Sequence, residues 1–313
     1  MNKPKVIIIG GPTAVGKTKT SIELAKKLNG EIISADSMQI YKYMDIGSAK
    51  PSTIERDGIA HHLLDFVSPL ESFSVSDFKR LGEEKIEDIH SRGKVSIVVG
   101  GTGLYINSLL YEMDFSEVSD DNEQRRSLEQ FALNEGNEAL HHRLHLLDPD
   151  SASRIHPNNV KRVIRAIEIA SNSEAGMKDF KTDLVPNFNY DFYLMALTGD
   201  REKLYDRINL RVLDMFSNGL VKELIFLKNM GLDDSFTAMK GIGYKEIFPY
   251  LEGQISLDQA INEIQQNTRR YAKRQLTWFK RYQDLKWYDV DQYLDLETLI
   301  ETAANEIRSY YKI

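Results

Sequence analysis

Residues 11–18 read Gly11-Pro12-Thr13-Ala14-Val15-Gly16-Lys17-Thr18, which places Gly, Gly, Lys and Thr at the spacing G-x-x-x-x-G-K-[ST]. Each fixed position suits a phosphate. The glycines let backbone amides turn inward around an anion, and the helix that follows adds the positive end of its dipole. Lys17 neutralises phosphate oxygens, and the Thr18 hydroxyl is suited to ligate Mg²⁺. The loop implies a diphosphate or triphosphate ligand without saying which.

Asp36 and Ser37 follow a second apolar run, Glu31–Ala35. A carboxylate there is placed to bind Mg²⁺ through water or to act as a general base; the plain alternative is an aspartate capping a turn. A third run, Val95–Val99, leads into Gly100-Gly101-Thr102-Gly103-Leu104-Tyr105. Nucleotide hydrolases usually carry an acid at such a point to hold Mg²⁺. Here the chain offers amides and a hydroxyl, donors for an oxyanion, or simply a strand-to-helix turn. Arg207 and Arg211 are four residues apart in a helical stretch, so both can face one site or a solvated surface. His61-His62 lacks a third, spaced ligand and reads as structural, as does Asp65.

The elements that would position these groups follow from periodicity. Lys5–Ile9 is a β-branched run of the kind buried on both faces of a sheet, and Lys17–Leu28 repeats apolar residues at helical spacing until Asn29-Gly30 stops it. Buried strands alternating with helices predict an α/β fold: a P-loop NTPase-like parallel sheet core with helices on both faces. Ligands then belong at the carboxyl ends of the strands. From about residue 114 the pattern becomes polar and helical until a strand-like stretch, Asp191–Leu197. The expected domains are a core of 1–113 and 199–313 with C-terminal helices, and an inserted helical subdomain of 114–198. From Glu202 the pattern is helical to about Tyr282, broken at Gly219, Gly231 and Gly241–Gly243.

The chain has 313 residues, 42% hydrophobic and 28% charged, with no cysteine. Thiol chemistry and cysteine-based zinc sites are excluded. No apolar run is long enough to span a membrane, and the N-terminal run is too short for a signal peptide, so a cytoplasmic protein is expected, acting as a monomer. The net charge is −7, a mild argument against nucleic acid. Its distribution argues the other way. Arg269, Arg270, Lys273, Arg274, Lys280 and Arg281 fall between Thr268 and Tyr282 with no acid among them, interleaved with Tyr271, Trp278 and Phe279. That suits RNA phosphates, or an exposed basic helix with one buried edge.

At these and further residues the chain resembles the tRNA dimethylallyltransferase (isopentenyltransferase) family. The matching segments are GPTAVGKT at 11–18, DSMQIY at 36–41, MDIGSAKP at 44–51, HHLLD at 61–65, GGTGLY at 100–105, RIHPNNVKRVIRAIE at 154–168, GIGYKE at 241–246 and RQLTWFKR at 274–281. They run in order over most of the chain. Family members often have Pro where Ala60 stands and Asp where Asn159 stands.

The resemblance implies a prenyltransferase that modifies tRNA. It would move a dimethylallyl group from dimethylallyl diphosphate to the N6 amine of the adenosine 3′ of the anticodon, in tRNAs reading codons that begin with U. Asp36 would be the general base, Thr102 would lie between donor and tRNA, and Arg211 would clamp the diphosphate. The 11–18 loop, with Thr13, Lys17 and Thr18 foremost, would hold that diphosphate with Mg²⁺. The tRNA would be contacted by Asp36, Ser37, Met38, Gln39, Thr102 and Arg125, by Lys161, Arg162, Val163, Ile164 and Arg165, and by Lys240, Gly241, Ile242, Gly243, Tyr244 and Lys245. Arg270 and Arg274 would add phosphate contacts, and the insert would grip the anticodon stem-loop.

The chemistry suits the residues. An adenine amine is a weak nucleophile until a proton leaves, so a base within hydrogen-bond reach is required. An allylic diphosphate ionises once the departing charge is stabilised by amides, Lys, Arg and Mg²⁺. The base must also be splayed out of its loop. The competing reading is a small-molecule kinase, nucleotide or shikimate type, built on the same loop; a third is a nucleotide switch or RNA-binding protein. A small acceptor would require neither the insert nor the basic C-terminal helix, and Asp36 beside a complete loop argues against a non-catalytic switch or RNA-binding protein.

Overall fold

The computed structural model describes residues 3–113, 122–172 and 184–313. In chain order the elements begin β1 (Lys5–Gly10), α1 (Lys17–Leu28), β2 (Gly30–Ser34), β3 (His61–His62), α2 (Val75–Ser91), β4 (Val95–Val99) and α3 (Gly103–Leu110). Four helices follow: α4 (Asn122–Glu135), α5 (Asn137–Leu147), α6 (Pro149–Arg154) and α7 (Val160–Asn172). Then come β5 (Asp191–Thr198), α8 (Arg201–Ser217), α9 (Leu220–Asn229), a 3₁₀ turn at Ala238–Lys240, α10 (Phe248–Leu251), α11 (Leu257–Phe279), β6 (Lys286–Asp289) and α12 (Leu296–Tyr311).

The sheet runs β3-β2-β4-β1-β5-β6 with every pair parallel. β1 sits at its centre, Ile7 opposite Ile97 of β4 and Tyr193 of β5. Both faces are covered, as the unbroken apolar runs require. Ile7, Ile9, Ile32 and Ile97 pack with Ile22, Leu24 and Ala25 of α1 and with Leu299, Ala303 and Ile307 of α12. The alternate residues Ile8, Ile33 and Val98 are fully buried on the other face, where α2 packs against β2 and β4. The carboxyl ends of β1, β2 and β4 therefore lie side by side, at Gly10, Ser34 and Val99.

Two compact units result: Met1–Leu110 with Asn187–Ile313, and Tyr111–Pro186. The expected end of the insert at residue 198 is corrected. Asp191–Thr198 pairs residue for residue with β1, and Met195, Ala196 and Leu197 are fully buried in the sheet unit. The expected start, residue 114, lies outside the described residues. The second unit has its own core, in which Leu128 of α4, Leu140 and Leu144 of α5, and Val163, Ile164 and Ile167 of α7 come together.

The breaks at Gly219 and Gly231 fall at left-handed residues (φ 100° and 91°) flanking α9. Residues 232–256 are mostly turns around Ala238–Lys240 and α10, not helix interrupted only at Gly241–Gly243 as their pattern suggested. α11 opens on a capping box, Ser256 with Gln259, and buries Ala260, Ile264, Ala272, Gln275 and Phe279.

Candidate active site

The phosphate loop joins β1 to α1. Gly11 has φ 130°, and a Cβ there would fall 2.5 Å from the Leu197 carbonyl oxygen of β5, so no larger residue fits. The Lys17 ammonium curls over the loop and donates to the Gly11 and Pro12 carbonyls at 3.0 and 2.7 Å. Burial pulls its pKa down to about 7, opposed by the negative charge of Asp36 and reinforced by the positive charge of Arg211. Thr18 is exposed at the cavity edge. Gly11, Pro12 and Val15 are buried and shape the loop from below, whereas Thr13, Ala14, Gly16, Lys17 and Thr18 line the cavity above.

Two cavities meet over the strand ends. The larger, about 750 Å³, is lined by the loop together with Gln39, Lys50, Arg207 and Gln275. The smaller, about 310 Å³, is lined by Ser37, Met38, Lys240, Gly241, Ile242, Lys245, Thr268 and Arg274. Thr13, Ala14, Asp36, Ser48, Ala49, Arg211, Met215 and Tyr271 line both. One side of the shared wall is thus a cavity over the 11–18 loop, and the other is a groove with basic side chains.

Asp36 caps a turn and also faces the cavities. Its Oδ1 accepts from the Met38 and Gln39 amides at 2.9 and 3.3 Å, capping the turn, while the carboxylate lines both cavities. Thr102 supports that turn from behind: its Oγ1 accepts from the Ser37 amide at 3.0 Å and donates to the Ser37 hydroxyl at 3.3 Å. It lines neither cavity itself and reaches their shared wall through Ser37 and Tyr271. Beside it, the Tyr271 phenol interacts with Thr102 and Gln275, and burial pushes its pKa up to about 12.

The two arginines differ in an informative way. Burial lowers the Arg211 pKa from its usual range, against the support of Asp36 and Glu55, and its Nη2 lies 3.5 Å from the Ala49 carbonyl. Arg207 lines the larger cavity, and its Nε and Nη2 are buried without a hydrogen-bond partner. Asp291 lies close enough to interact with its charge, so the two unpaired N–H groups are donors left over for a further acceptor in the cavity. The solvated-face reading of Arg207 does not fit.

Gln275 is the residue that sequence reasoning missed. From α11 its Oε1 accepts from the Thr13 amide at 2.9 Å and its Nε2 donates to the Gly101 carbonyl at 3.2 Å. It ties the phosphate loop to the Gly100–Thr102 turn across 262 residues of sequence. The only local hint was a polar residue at a core-facing position between Ala272 and Phe279 of an amphipathic helix.

The RNA-contact candidates divide sharply. Met38, Lys240, Gly241, Ile242, Lys245 and Arg274 line the smaller cavity, and Arg270 and Lys273 are exposed on the same helix as Arg274. Four of the expected contact residues are buried outside both cavities, and two arginines are tied into an ion pair while staying partly exposed. Tyr244 is fully buried with its hydroxyl on Glu223, and Gly243 beside it is buried. Val163 and Ile164 are core residues of the helical unit, because on α7 they sit on the face opposite Lys161 and Arg162, which are exposed. Arg125 makes a two-pronged pair with the buried Glu168 at 2.9 and 2.8 Å, and Arg165 joins it at 3.3 Å, which ties both to α7. Arg269 bonds Asn209. His61 and His62 are structural, bonded to Ile59 and Glu31, and Asp65 pairs with Lys50.

The chain matches the family model described as IPP transferase over residues 39–282. It is 52% identical to a tRNA dimethylallyltransferase of Alkaliphilus oremlandii over 309 residues, 99% of each chain. It is 50% identical to one of Clostridioides difficile over 312 residues, 100% of this chain and 99% of the other. Among solved structures, the full-length tRNA isopentenylpyrophosphate transferase of Bacillus halodurans superposes with a TM-score of 0.75 at 44% identity, covering 99% and 97% of the two chains. A eukaryotic dimethylallyltransferase acting on tRNA superposes with a TM-score of 0.79 at 31% identity, covering 97% and 79%.

Proposed function

The chain belongs to the IPP transferase family, and from that premise we propose that it transfers a dimethylallyl group from dimethylallyl diphosphate to the N6 amine of the adenosine 3′ of the anticodon in tRNA. The tRNAs are those reading codons that begin with U. The observation that carries this reading is the shared wall: Asp36, Arg211 and Tyr271 stand between the cavity over the 11–18 loop and a groove rimmed by Lys240, Lys245 and Arg274. A donor diphosphate and an RNA base entering from opposite cavities meet there.

In this reading the diphosphate lies on the phosphate loop, with Lys17, Arg207 and Arg211 around its oxygens. The Asp36 carboxylate, whose turn is braced by Ser37 and Thr102, takes the N6 proton as the N–C bond forms and the allylic C–O bond breaks. The adenine sits against Met38 and Ile242 in the smaller cavity, with the flanking phosphates on Lys245, Arg270 and Arg274. Lys161 and Arg162 on the helical unit supply further phosphate contacts.

The residues fit a divalent cation carried by the substrate. Thr18 and Asp36 line one cavity, while among the described residues no three His, Cys, Asp or Glu side chains cluster as a complete metal site. Mg²⁺ held by the Thr18 hydroxyl and the diphosphate would neutralise leaving-group charge. The kinase reading is not favoured: β4 runs into Gly100-Gly101 with no acid at its end, and the relatives are tRNA dimethylallyltransferases. No helix among the described residues is long and apolar enough to cross a membrane, in keeping with a cytoplasmic tRNA-modifying enzyme. The test is incubation with labelled dimethylallyl diphosphate and unmodified bulk tRNA, with ATP as an alternative donor. Label in RNA is expected. Phosphoryl transfer from ATP to a small acceptor, with no label in RNA, would overturn the reading.

A further inference from the structure

Residues 44–51 form a loop that enters both cavities, Ser48 and Ala49 lining each. Lys50 and Gln39 hold it from the cavity side, and a further anchor lies outside the cavities. The amides of Asp45, Ile46 and Gly47 donate in succession to one carboxylate, that of Glu223 on α9, at 2.9, 2.7 and 3.0 Å. Three consecutive amides converging on one point form an anion nest, filled here by a side chain of the same chain. The Tyr244 hydroxyl adds a fourth donor at 2.8 Å. Its ring packs on Gly47 so closely that a Cβ there would fall 2.4 Å from it.

The loop's carbonyls point the other way, into the site. Gln39 Nε2 donates to the Ser48 and Ala49 oxygens at 3.2 and 3.1 Å, and Arg211 Nη2 reaches the Ala49 oxygen at 3.5 Å. The Gln39 backbone N–H donates to Asp36 Oδ1 at 3.3 Å. Ala49 is held at φ 48° and Tyr43 at φ 66°, left-handed conformations that a residue with a Cβ keeps only when its surroundings impose them.

We propose that Glu223, which lines neither cavity, is a positioning residue for the transfer: by filling the 45–47 nest it sets the 44–51 loop, whose carbonyls orient Arg211 and Gln39 around the diphosphate and Asp36. The inference rests on the proposed role of Arg211. A carboxylate is required because both its oxygens accept. A glutamine presents one acceptor and turns its NH₂ toward amide N–H groups, so the nest opens and the left-handed residues relax. Misplacing a clamp by about 1 Å costs on the order of 10²-fold in rate.

The experiment is a double-mutant cycle of Glu223→Gln and Arg211→Ala, reading kcat/KM for dimethylallyl diphosphate, tRNA affinity and melting temperature. Glu223→Gln is expected to lower donor kcat/KM by roughly 10- to 100-fold in the wild-type background but under about threefold in the Arg211→Ala background, since residues acting through one another are not additive. tRNA affinity is expected to stay within about threefold, as phosphate contacts elsewhere dominate it. Tyr244→Phe removes one donor to the same carboxylate and leaves the loop amides bonded; it is expected to lower the melting temperature while keeping kcat/KM. Should Glu223→Gln not fold, Glu223→Asp, one methylene short, runs through the same cycle. Equal losses in both backgrounds, or activity falling in step with melting temperature across these variants, overturns the proposal. A near-normal Glu223→Gln beside an impaired Arg211→Ala overturns it alone; a near-normal Arg211→Ala overturns the role of Arg211 and this route with it.

Discussion

Replacing Asp36 by Asn separates chemistry from architecture. The Oδ1 of Asp36 caps a turn by accepting from the Met38 and Gln39 amides. An asparagine oxygen accepts both, so the turn and the cavity walls survive. What is lost is the ability to take a proton. Removing a general base typically costs about 10²–10⁴-fold, or roughly 2.7–5.5 kcal/mol of barrier at about 1.36 kcal/mol per decade. There is a second, independent consequence. The charge of Asp36 is the factor that supports the buried Lys17 ammonium against desolvation and Arg211. Without it the Lys17 pKa drops below about 7, and donor binding weakens at neutral pH. The assay is single-turnover transfer of labelled dimethylallyl groups into saturating tRNA, run beside donor-binding titrations across pH. Asp36→Ala serves as the structural control: it loses the cap too, about 0.5–2 kcal/mol of stability. A turnover for Asp36→Asn within tenfold of wild type refutes the base assignment. An unchanged pH dependence of donor binding refutes the coupling to Lys17.

Three further outcomes are expected. In wild type, donor kcat/KM should be full below pH 7 and decline as pH rises through about 7, the value to which burial brings Lys17. This follows because the neutral amine no longer binds phosphate and kcat/KM reports the free enzyme; a flat profile from pH 6 to 8 contradicts the placement of Lys17. Neutralising the exposed Arg270, Lys273 and Arg274 should flatten the slope of log tRNA affinity against log salt by roughly 2–3 units, whereas neutralising Arg269, held by Asn209, should leave the slope unchanged. Gln275→Met strands the Thr13 amide and Gly101 carbonyl; it should lower stability by about 1–3 kcal/mol in urea unfolding and weaken donor binding, and unchanged values for both would show that the bridge is idle.

The sheet and the phosphate loop are legible because their signals are local. A β-branched run, a glycine turn and a helical period announce β1, the 11–18 loop and α1 within 24 residues. The short edge strands β3 and β6 have too few residues to show a period. Val163, Ile164 and Tyr244 were expected at the RNA because whole segments matched a pattern, but a helix such as α7 turns by about 100° per residue so only one face meets a partner, and Tyr244 leaves a turn inward to Glu223. Gln275 and Glu223 escaped for a different reason. Their partners, Thr13 and the 45–47 amides, lie 262 and 176–178 residues away. Nothing in the neighbouring sequence records which distant backbone atoms a side chain will meet.

The span closed by Gln275 also has a meaning in time. During translation Thr13 leaves the ribosome long before α11 exists, and at about 5–20 residues per second the wait is on the order of 10–50 s. Through that interval the nascent chain holds the phosphate-loop sequence and the strands beside it, but not the helix that pins Thr13 to Gly101. The donor pocket is completed only near the end of synthesis, by the same helix that carries Arg270, Lys273 and Arg274. Half-made chains therefore lack the Gln275 bridge, and the loop is pinned only when the helix bearing the exposed basic residues has been made.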